Sequence, residues 1–314
     1  MALELRHLRY LLAVAEHRNF TRAAEDLHIS QPTLSQQVKQ LERTVGAQLL
    51  DRTGRAVRLT DAGEVYVRHA RRALRDLAAA ERAVRDVRDL SEGRLRLAAT
   101  PTFTAYLIGP LTAELRTRHP GITLTFREMA QDELEAALLA DELDLGIAFD
   151  GPHQPGVAAA PLFTETLSLV TGPRADGPAA AAPLSPHDLA RVELALLSRD
   201  FTTRGHVDAY FARHRVSPRI VVEANSLQAL TEIVRRTGLA TVLPDAIAED
   251  DPRLTPVAVR PPLPSRTVAL LRREAAYHSA AAHAFTCLAH DHVRAAGHAP
   301  AQGHAPAPAQ GGDE

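Results

Sequence analysis

Residues 20–45 read FTRAAEDLHISQPTLSQQVKQLERTV. Phe20, Ala23, Ala24 and Leu27 recur at helical spacing, and Leu34, Val38, Leu41 and Val45 follow in steps of four, three and four. That periodicity predicts two short amphipathic helices. Leu27-His28-Ile29-Ser30 separates them. Ser30 suits an N-cap, and Pro32 is tolerated in the first turn because no intrahelical donor is needed there. The outward face of the second helix carries Gln31, Thr33, Ser35, Gln36, Lys39 and Gln40. Short and amide-bearing side chains at a helix N-terminus suit a DNA major groove: Gln pairs bidentately with adenine, and Thr meets thymine or phosphate. The plainer alternative is a polar face turned to water.

On the N-terminal side, residues 3–17 form a first helix with Leu8, Leu11, Leu12 and Ala15 on one face. On the C-terminal side, residues 49–60 (LLDRTGRAVRLT) read as two short extended arms around Thr53-Gly54, a hairpin. Its arginines suit phosphate or minor-groove contact, which makes the whole a winged helix-turn-helix. The alternative is a hairpin edge kept soluble by charge. Over residues 1–60, nine Arg and Lys face six Asp and Glu, an excess of three positive charges in a chain whose net charge is −2. The excess falls where a nucleic-acid partner would sit.

Thr60 or Asp61 caps a long helix to about residue 90. In it Tyr66, Ala70, Ala73, Leu77, Ala80, Val84 and Val87 alternate steps of four and three, the period of a coiled-coil seam. The competing reading packs this helix on its own domain. Ser91-Glu92-Gly93 ends it, and strand and helix then alternate. Strand 94–99, helix 103–119, strand 122–128, helix 132–140 and strand 143–149 imply a parallel sheet covered on both faces. A second unit follows from 161–170, with an Ala/Pro-rich loop at 172–187, strand 192–198 and helix 203–215. Strand 219–224, helix 227–236, strand 239–243 and two more strands at 253–259 and 266–271 complete it. The last strand and a helix at about 277–295 return to the first sheet. The boundaries read 1–60 for the winged helix-turn-helix, 61–92 for a linker and dimerisation helix, and 93–295 for a two-lobe α/β domain. Lobe I takes 93–162 and 266–295, and lobe II takes 163–265. The Ala/Pro/Gly/Gln/His-rich tail, 296–314, cannot bury a core and is expected to be disordered.

Three strand-to-helix junctions share one design: Thr100-Pro101-Thr102, Phe201-Thr202-Thr203 and Asn225-Ser226. In open α/β sheets ligands bind beyond the carboxyl ends of strands, where helix N-termini favour an anion and hydroxyls add neutral donors. The plainer reading of each is an N-cap. Repeated three times, the design predicts a cleft for a small, anionic ligand. There is no GxGxxG, phosphate loop, GxSxG or CxxC pair, so neither an enzyme nor a cofactor is expected. The C-terminal histidines lack the spacing of a closed metal site. A single cysteine, Cys287, excludes an intramolecular disulfide and fits a reducing compartment. Glu16 interrupts the apolar run 11–15 and no run approaches a bilayer span, so a cytoplasmic protein without a membrane partner is expected.

The order of winged helix-turn-helix, long helix and two-lobe domain resembles the LysR-type bacterial transcriptional regulators. FTRAAEDLHISQPTLSQQVKQLE, LLDRTGRAVRLTDAGE, ELDLGIAF and GLATVLP carry the resemblance, which covers the chain to about residue 295. It implies an effector domain with the two-lobe fold of periplasmic binding proteins and a dimer of dimers. It also implies double-stranded promoter DNA as a partner, bound at an interrupted inverted repeat, and contact with RNA polymerase that a small coinducer changes. The segments LAVAEHRNFTRAA, TPTFTAYLIGPL and VVEANSLQALTEIVRRTGLATVLP are similar to the branch of the family that controls cyanate breakdown, which implies cyanate as an effector. The family pattern maps DNA contacts to Thr21, Ser30, Gln31, Pro32, Thr33, Ser35, Gln36 and Lys39, with Arg52 and Arg55 on the wing. It maps effector contacts to Thr100, Thr102, Gln131, Phe149, Thr202 and Thr203. Three other classes stay open on the residues alone: a solute-binding protein of the same two-lobe fold, an enzyme of small anions, and a DNA-binding protein without a ligand.

Overall fold

The computed structural model describes residues 3–53, 56–88, 93–173 and 183–297. Gly54 and Arg55 of the wing, the break at 91–92, most of the Ala/Pro-rich loop and nearly all of the tail fall outside them. The chain divides into two compact units, Met1–Arg85 and Asp86–Glu314. No described helix is long and apolar enough to cross a membrane.

In the first unit, α1 (Leu5–His17), α2 (Phe20–Asp26) and α3 (Gln31–Val45) are followed by a two-stranded wing, β1 (Leu50–Asp51) and β2 (Arg58–Leu59). The wing is antiparallel, with Leu50 opposite Leu59 and Asp51 opposite Arg58. Leu11, Val14, Ala23, Ala24, Leu34, Val38 and Leu41 meet in one core with Leu49 and Leu50. Each helix start has its own cap. Asn19 accepts from the N–H groups of Thr21 and Arg22, and Ser30 accepts from that of Thr33. Left-handed residues close the helices: Arg18 after α1, His28 in the turn and Gly46 after α3.

Helix α4 (Asp61–Arg88) starts on Thr60, whose hydroxyl accepts from the Gly63 N–H at 3.0 Å and donates to the Gln48 carbonyl at 2.7 Å. Its first turns belong to the unit's own core, where Val67 and Ala70 are buried and Tyr66 half-buried. Further along the same seam Ala73, Leu77, Ala80 and Val84 are exposed. The helix thus packs on its own domain over its first turns and leaves an exposed apolar stripe beyond. The side chain of Val87 is outside the described residues.

The second unit holds two five-stranded sheets. The first joins β3 (Arg94–Ala99), β4 (Thr123–Glu128), β5 (Leu145–Phe149), β6 (Val157–Glu165) and a late strand (Arg266–Arg273) in the order β4-β3-β5-late-β6. Alternation sorts its side chains. Leu95, Leu97 and Ala99 face α5 (Pro101–Tyr106), α6 (Ile108–Arg118) and the final helix (Ala280–Ala295). Ala98 and Ala148 face α7 (Gln131–Leu139). Where one helix is expected over 103–119, two are found. Pro110 has no N–H to give the Tyr106 carbonyl, and its ring crowds that turn, so the chain kinks at Leu107.

The second sheet comprises β7 (Leu167–Thr171), β8 (Glu193–Leu197), β9 (Arg219–Ala224), β10 (Ala240–Pro244) and β11 (Thr255–Val257), ordered β11-β7-β10-β8-β9. It is covered on one face by α8 (Pro186–Leu189) and α9 (Thr202–Arg213). α10 (Leu227–Arg236) and α11 (Asp245–Glu249) cover the other. The late strand is β12 and the final helix α12. As expected they return to the first sheet, but β12 runs antiparallel to both β5 and β6. In the second sheet β7 runs antiparallel to β10 and β11. Both sheets are therefore mixed rather than parallel: the strand that follows each crossing, β7 in the second sheet and β12 in the first, runs against its neighbours. β6 runs to Glu165, which puts residues 163–165 in the first sheet rather than the second lobe.

Gly63 is where the wing and α4 touch most closely. A Cβ there would stand 2.0 Å from the Leu49 carbonyl oxygen, a main-chain atom that cannot turn aside. Gly63→Ala is expected to lower stability by about 1–3 kcal/mol, as overpacking does. Gly109→Ala, with nothing within 4 Å of its added Cβ, serves as control. Thermal melts of the two variants check this; equal midpoints would mean that the wing shifts freely.

Candidate functional sites

Unit one presents the first site. Gln31, Pro32, Thr33, Gln36 and Lys39 of α3 are exposed on one face, and Ser35 is half-buried among them. Gln31, Pro32, Ser35, Gln36, Lys39, Gln40 and Arg43 line one shallow concavity. The Ser30 and Thr33 hydroxyls bond each other at 2.7 Å while Ser30 caps the helix. Thr21 is exposed in the first turn of α2. Gln37, beside that face, is held elsewhere. His7 Nδ1 accepts the Glu4 N–H, so Nε2 carries the proton and donates to Gln37 Oε1 at 3.0 Å.

Arg52 has a different setting from the one its place on the wing suggests. Its Nη2 donates to Glu42 Oε2 at 2.8 Å, and its guanidinium lies 5.1 Å from the centre of the Phe20 ring. Glu42 Oε1 also accepts the Leu49 and Leu50 N–H groups at 3.0 and 3.1 Å. One carboxylate of α3 thus holds the start of the wing and the arginine that follows it. At the tip, Asp51 accepts from the Thr53 N–H and hydroxyl, and these two bonds hold its carboxyl below the ordinary carboxylate range. Arg55 lies outside the described residues.

Unit two presents a cavity of ≈ 200 Å³ at the carboxyl ends of β3, β5 and β8. Thr100, Thr102, Gln131, Phe149 and Thr202 line it, five of the six residues expected there. Thr203 does not. It is buried one layer behind, where its hydroxyl meets that of Thr102 at 3.3 Å. Gln131 lines the cavity but its amide is occupied: Nε2 donates to the Phe149 carbonyl at 3.0 Å, and Oε1 accepts the Phe149 N–H at 3.3 Å. Its part is to hold the Phe149 main chain in place.

The helices at this cavity start without caps. Thr100, Ala130 and Phe201 stand at the N-caps of α5, α7 and α9, and none makes a side-chain cap bond. First-turn N–H groups have no intrahelical acceptor, so α7 and α9 turn free donors and positive dipole ends toward the cavity. Thr100 Oγ1 is buried without a partner. At the third junction the plainer reading wins: Ser226 caps α10 by accepting the Ala229 N–H, leaving Asn225 as the lining residue.

The sequence reading did not find several parts of this site. Glu128 and Asp200 are acidic members of the lining, and no lining residue is basic. Behind Phe149, Arg266 stacks on the ring with its guanidinium carbon 3.9 Å from the centroid. Arg266 and Glu165 are buried and paired, with Nε 2.6 Å from Oε2, and the Tyr106 hydroxyl donates to Oε1 at 2.5 Å. Burial and then the Glu165 carboxylate push the Tyr106 phenol upward, so it stays a donor. Burial draws His206, whose ring faces Phe149, below its ordinary value, and Arg266 adds to that. A lone charge at the start of the apolar run TVALL and another at the end of VAAAPLFTE were the available signals. Among the described residues no group of three His, Cys, Asp or Glu side chains could hold a metal ion.

Comparison with known proteins supplies the relatives. Residues 5–64 match the family model described as bacterial regulatory helix-turn-helix protein, lysR family, and residues 88–294 match LysR substrate binding domain. The nitrogen assimilation regulatory protein nac of Klebsiella aerogenes is 35% identical over 248 residues, 78% of this chain and 80% of that protein. The DNA-binding transcriptional dual regulator OxyR of Escherichia coli K12 is 30% identical over 275 residues, 86% of this chain and 90% of that one. A full-length OxyR variant from Pseudomonas aeruginosa superposes with a TM-score of 0.66 at 28% identity, covering 94% of this chain and 95% of that. Full-length CbnR complexed with its target DNA does so at 0.61 and 25% identity, covering 93% and 99%.

Arg52→Ala is expected to lower the thermal stability of the protein by about 1–3 kcal/mol, because it strips a charged partner from a mostly buried Glu42. An unchanged melting midpoint together with a salt dependence of DNA binding reduced by about one unit would make Arg52 a phosphate contact instead.

Proposed function

Because the chain belongs to the LysR family of bacterial DNA-binding transcriptional regulators with an effector-binding domain, we propose that its α3 face reads promoter DNA and that the cavity behind Thr100 and Thr102 takes the effector. The observation that carries the second half is the unpartnered, buried Thr100 hydroxyl beside the uncapped starts of α7 and α9. A cavity of ≈ 200 Å³ is smaller than the ~300–1,000 Å³ of pockets for drug-sized ligands, which supports a small effector. With no basic lining, an anion would be held by hydroxyls and main-chain N–H groups. Cyanate, a three-atom anion, is the effector we infer from sequence likeness.

For the DNA side, Gln31, Thr33, Ser35 and Gln36 would meet base edges, with Thr21, Ser30, Pro32 and Lys39 along the backbone. Arg52 would act by placing the wing, and Arg55 by contact from it. The exposed Leu77 and Val84 on α4 support pairing of two chains through that helix, and a dimer of dimers on the family pattern. α4 is also the covalent path between the units. An effector can shift the DNA-bound arrangement, and with it contact with RNA polymerase, only by its differential affinity for two arrangements, typically ~1–3 kcal/mol. The reading places the protein in the cytoplasm, with its DNA, and gives it no catalytic step.

A DNase footprint on the protein's own upstream region, with and without cyanate, tests this. A footprint that shortens or shifts with cyanate is expected. One that ignores cyanate removes cyanate as the effector at that operator. Gln36→Ala should cost ~1–3 kcal/mol at the specific site and little on random DNA; equal loss on both would take Gln36 out of base reading.

A further inference from the structure

Arg266 does not touch the cavity, yet the hydrogen bonds it makes decide what the cavity offers. A guanidinium can only donate. Nη1 of Arg266 donates to Thr203 Oγ1 at 2.8 Å, while Nε and Nη2 face Glu165 Oε2 at 2.6 and 2.5 Å. Arg266, Glu165, Thr203 and Thr102 are all more than nine-tenths buried. With one lone pair of Thr203 taken by Arg266, its hydroxyl hydrogen needs an acceptor, and the partner in reach is Thr102 Oγ1 at 3.3 Å. Thr102 then accepts, and its own hydrogen is left for the cavity it lines. Beside it Thr100 Oγ1 has no partner at all.

We propose that Arg266 polarises a one-way relay, Arg266 to Thr203 to Thr102, so that the cavity presents hydrogen-bond donors to the accepting, anionic end of its ligand. The relay supplies what the lining lacks. Glu128 and Asp200 stand there with no basic side chain, so a direct ion pair is not available to an anion. Glu165 sets the strength of the effect. Its carboxylate neutralises Arg266, so the site receives a polarised hydroxyl rather than a full positive charge. The pair also ties the lobes: Glu165 ends β6 and Arg266 starts β12, both in the first sheet, while Thr203 stands on α9 beside the second. A ligand that draws on Thr102 would therefore be felt at both chain crossings.

This proposal rests on the reading of the cavity as the effector site. The test is calorimetric titration of the full-length protein with sodium cyanate, azide, formate and acetate, and with neutral formamide and acetamide. DNA footprinting runs in parallel, and azide serves as a linear anion that does not carbamylate amines. The wild type is expected to bind at least one anion more tightly than either amide. Thr203→Val should weaken that anion about ten-fold, the scale of one lost charge-assisted bond, and Thr203→Ser should restore it. Glu165→Gln should tighten the anion by about three- to ten-fold and leave the amides alone, because the buried charge is no longer cancelled. A purely structural ion pair would give the opposite, with anion and amide weakened together. That result overturns the relay, as does full anion affinity in Thr203→Val. If Glu165→Gln fails to fold, the Thr203 pair of variants decides alone. A wild type that footprints DNA but takes up none of the four anions overturns the relay and leaves the regulator reading standing. Anion binding by the relay without any footprint counts against the regulator reading and supports the relay.

Discussion

A buried ion pair sits where the second unit's chain crosses between its two sheets. Glu165 ends the last strand before the first crossing, and Arg266 begins the strand that comes back. Neither charge reaches water, and removing one partner of such a pair typically costs about 3–5 kcal/mol because the other is left uncompensated. Other groups around the pair are bonded to it or packed on it. Tyr106 serves Glu165, Thr203 serves Arg266, and Phe149 lies flat under the guanidinium. Three elements, α5, β5 and α9, are therefore positioned against one pair of charges carried by β6 and β12. The cavity wall is the other side of the same arrangement.

The first unit solves a similar problem with one carboxylate. A wing of two-residue strands has little ladder of its own to hold it. Glu42 supplies two acceptors to the main chain at Leu49 and Leu50 and a counter-charge to Arg52, which in turn covers Phe20. The Thr60 hydroxyl bridges from the wing's exit to Gln48 and starts α4. Because the Glu42 ties originate on α3, the start of the wing and that helix are set together.

Helix starts at the cavity differ from those elsewhere in the chain. Asn19, Ser30, Ser226 and Ser279 all cap in the ordinary way, accepting first-turn N–H groups. Thr100, Ala130 and Phe201 do not. Orphan donors at a helix start are stabilised by any acceptor that arrives, and a ligand is such an acceptor. Ala130 and Phe201 have no side-chain acceptor and cannot cap; Thr100 has one, and that it makes no cap bond is not written in its residue type.

Periodicity was enough for the helix-turn-helix, because Leu34, Val38 and Leu41 can share a core only if residues 31–45 are helical. It was enough for most strands and helices of the two sheets, but it gave no strand over 157–165 and neither of the short helices α8 and α11, and it did not foresee the kink at Pro110. Five of the six expected effector residues proved to line one cavity, since position beyond a strand end is a local property of the chain. Three things were beyond it. Strand direction depends on which end of a sheet the returning chain enters, and nothing local to residues 266–273 records that. The task of Arg52 depends on Glu42, ten residues away, and the part played by Thr203 depends on Arg266, sixty-three residues away. Hydrogen bonds between distant side chains leave no period in the sequence. The sequence by itself therefore determined which segments fold and where a ligand could sit, because those follow from local hydrophobic pattern and helix ends. Tertiary structure alone decided which polar groups are already bonded and which still have a hydrogen to give.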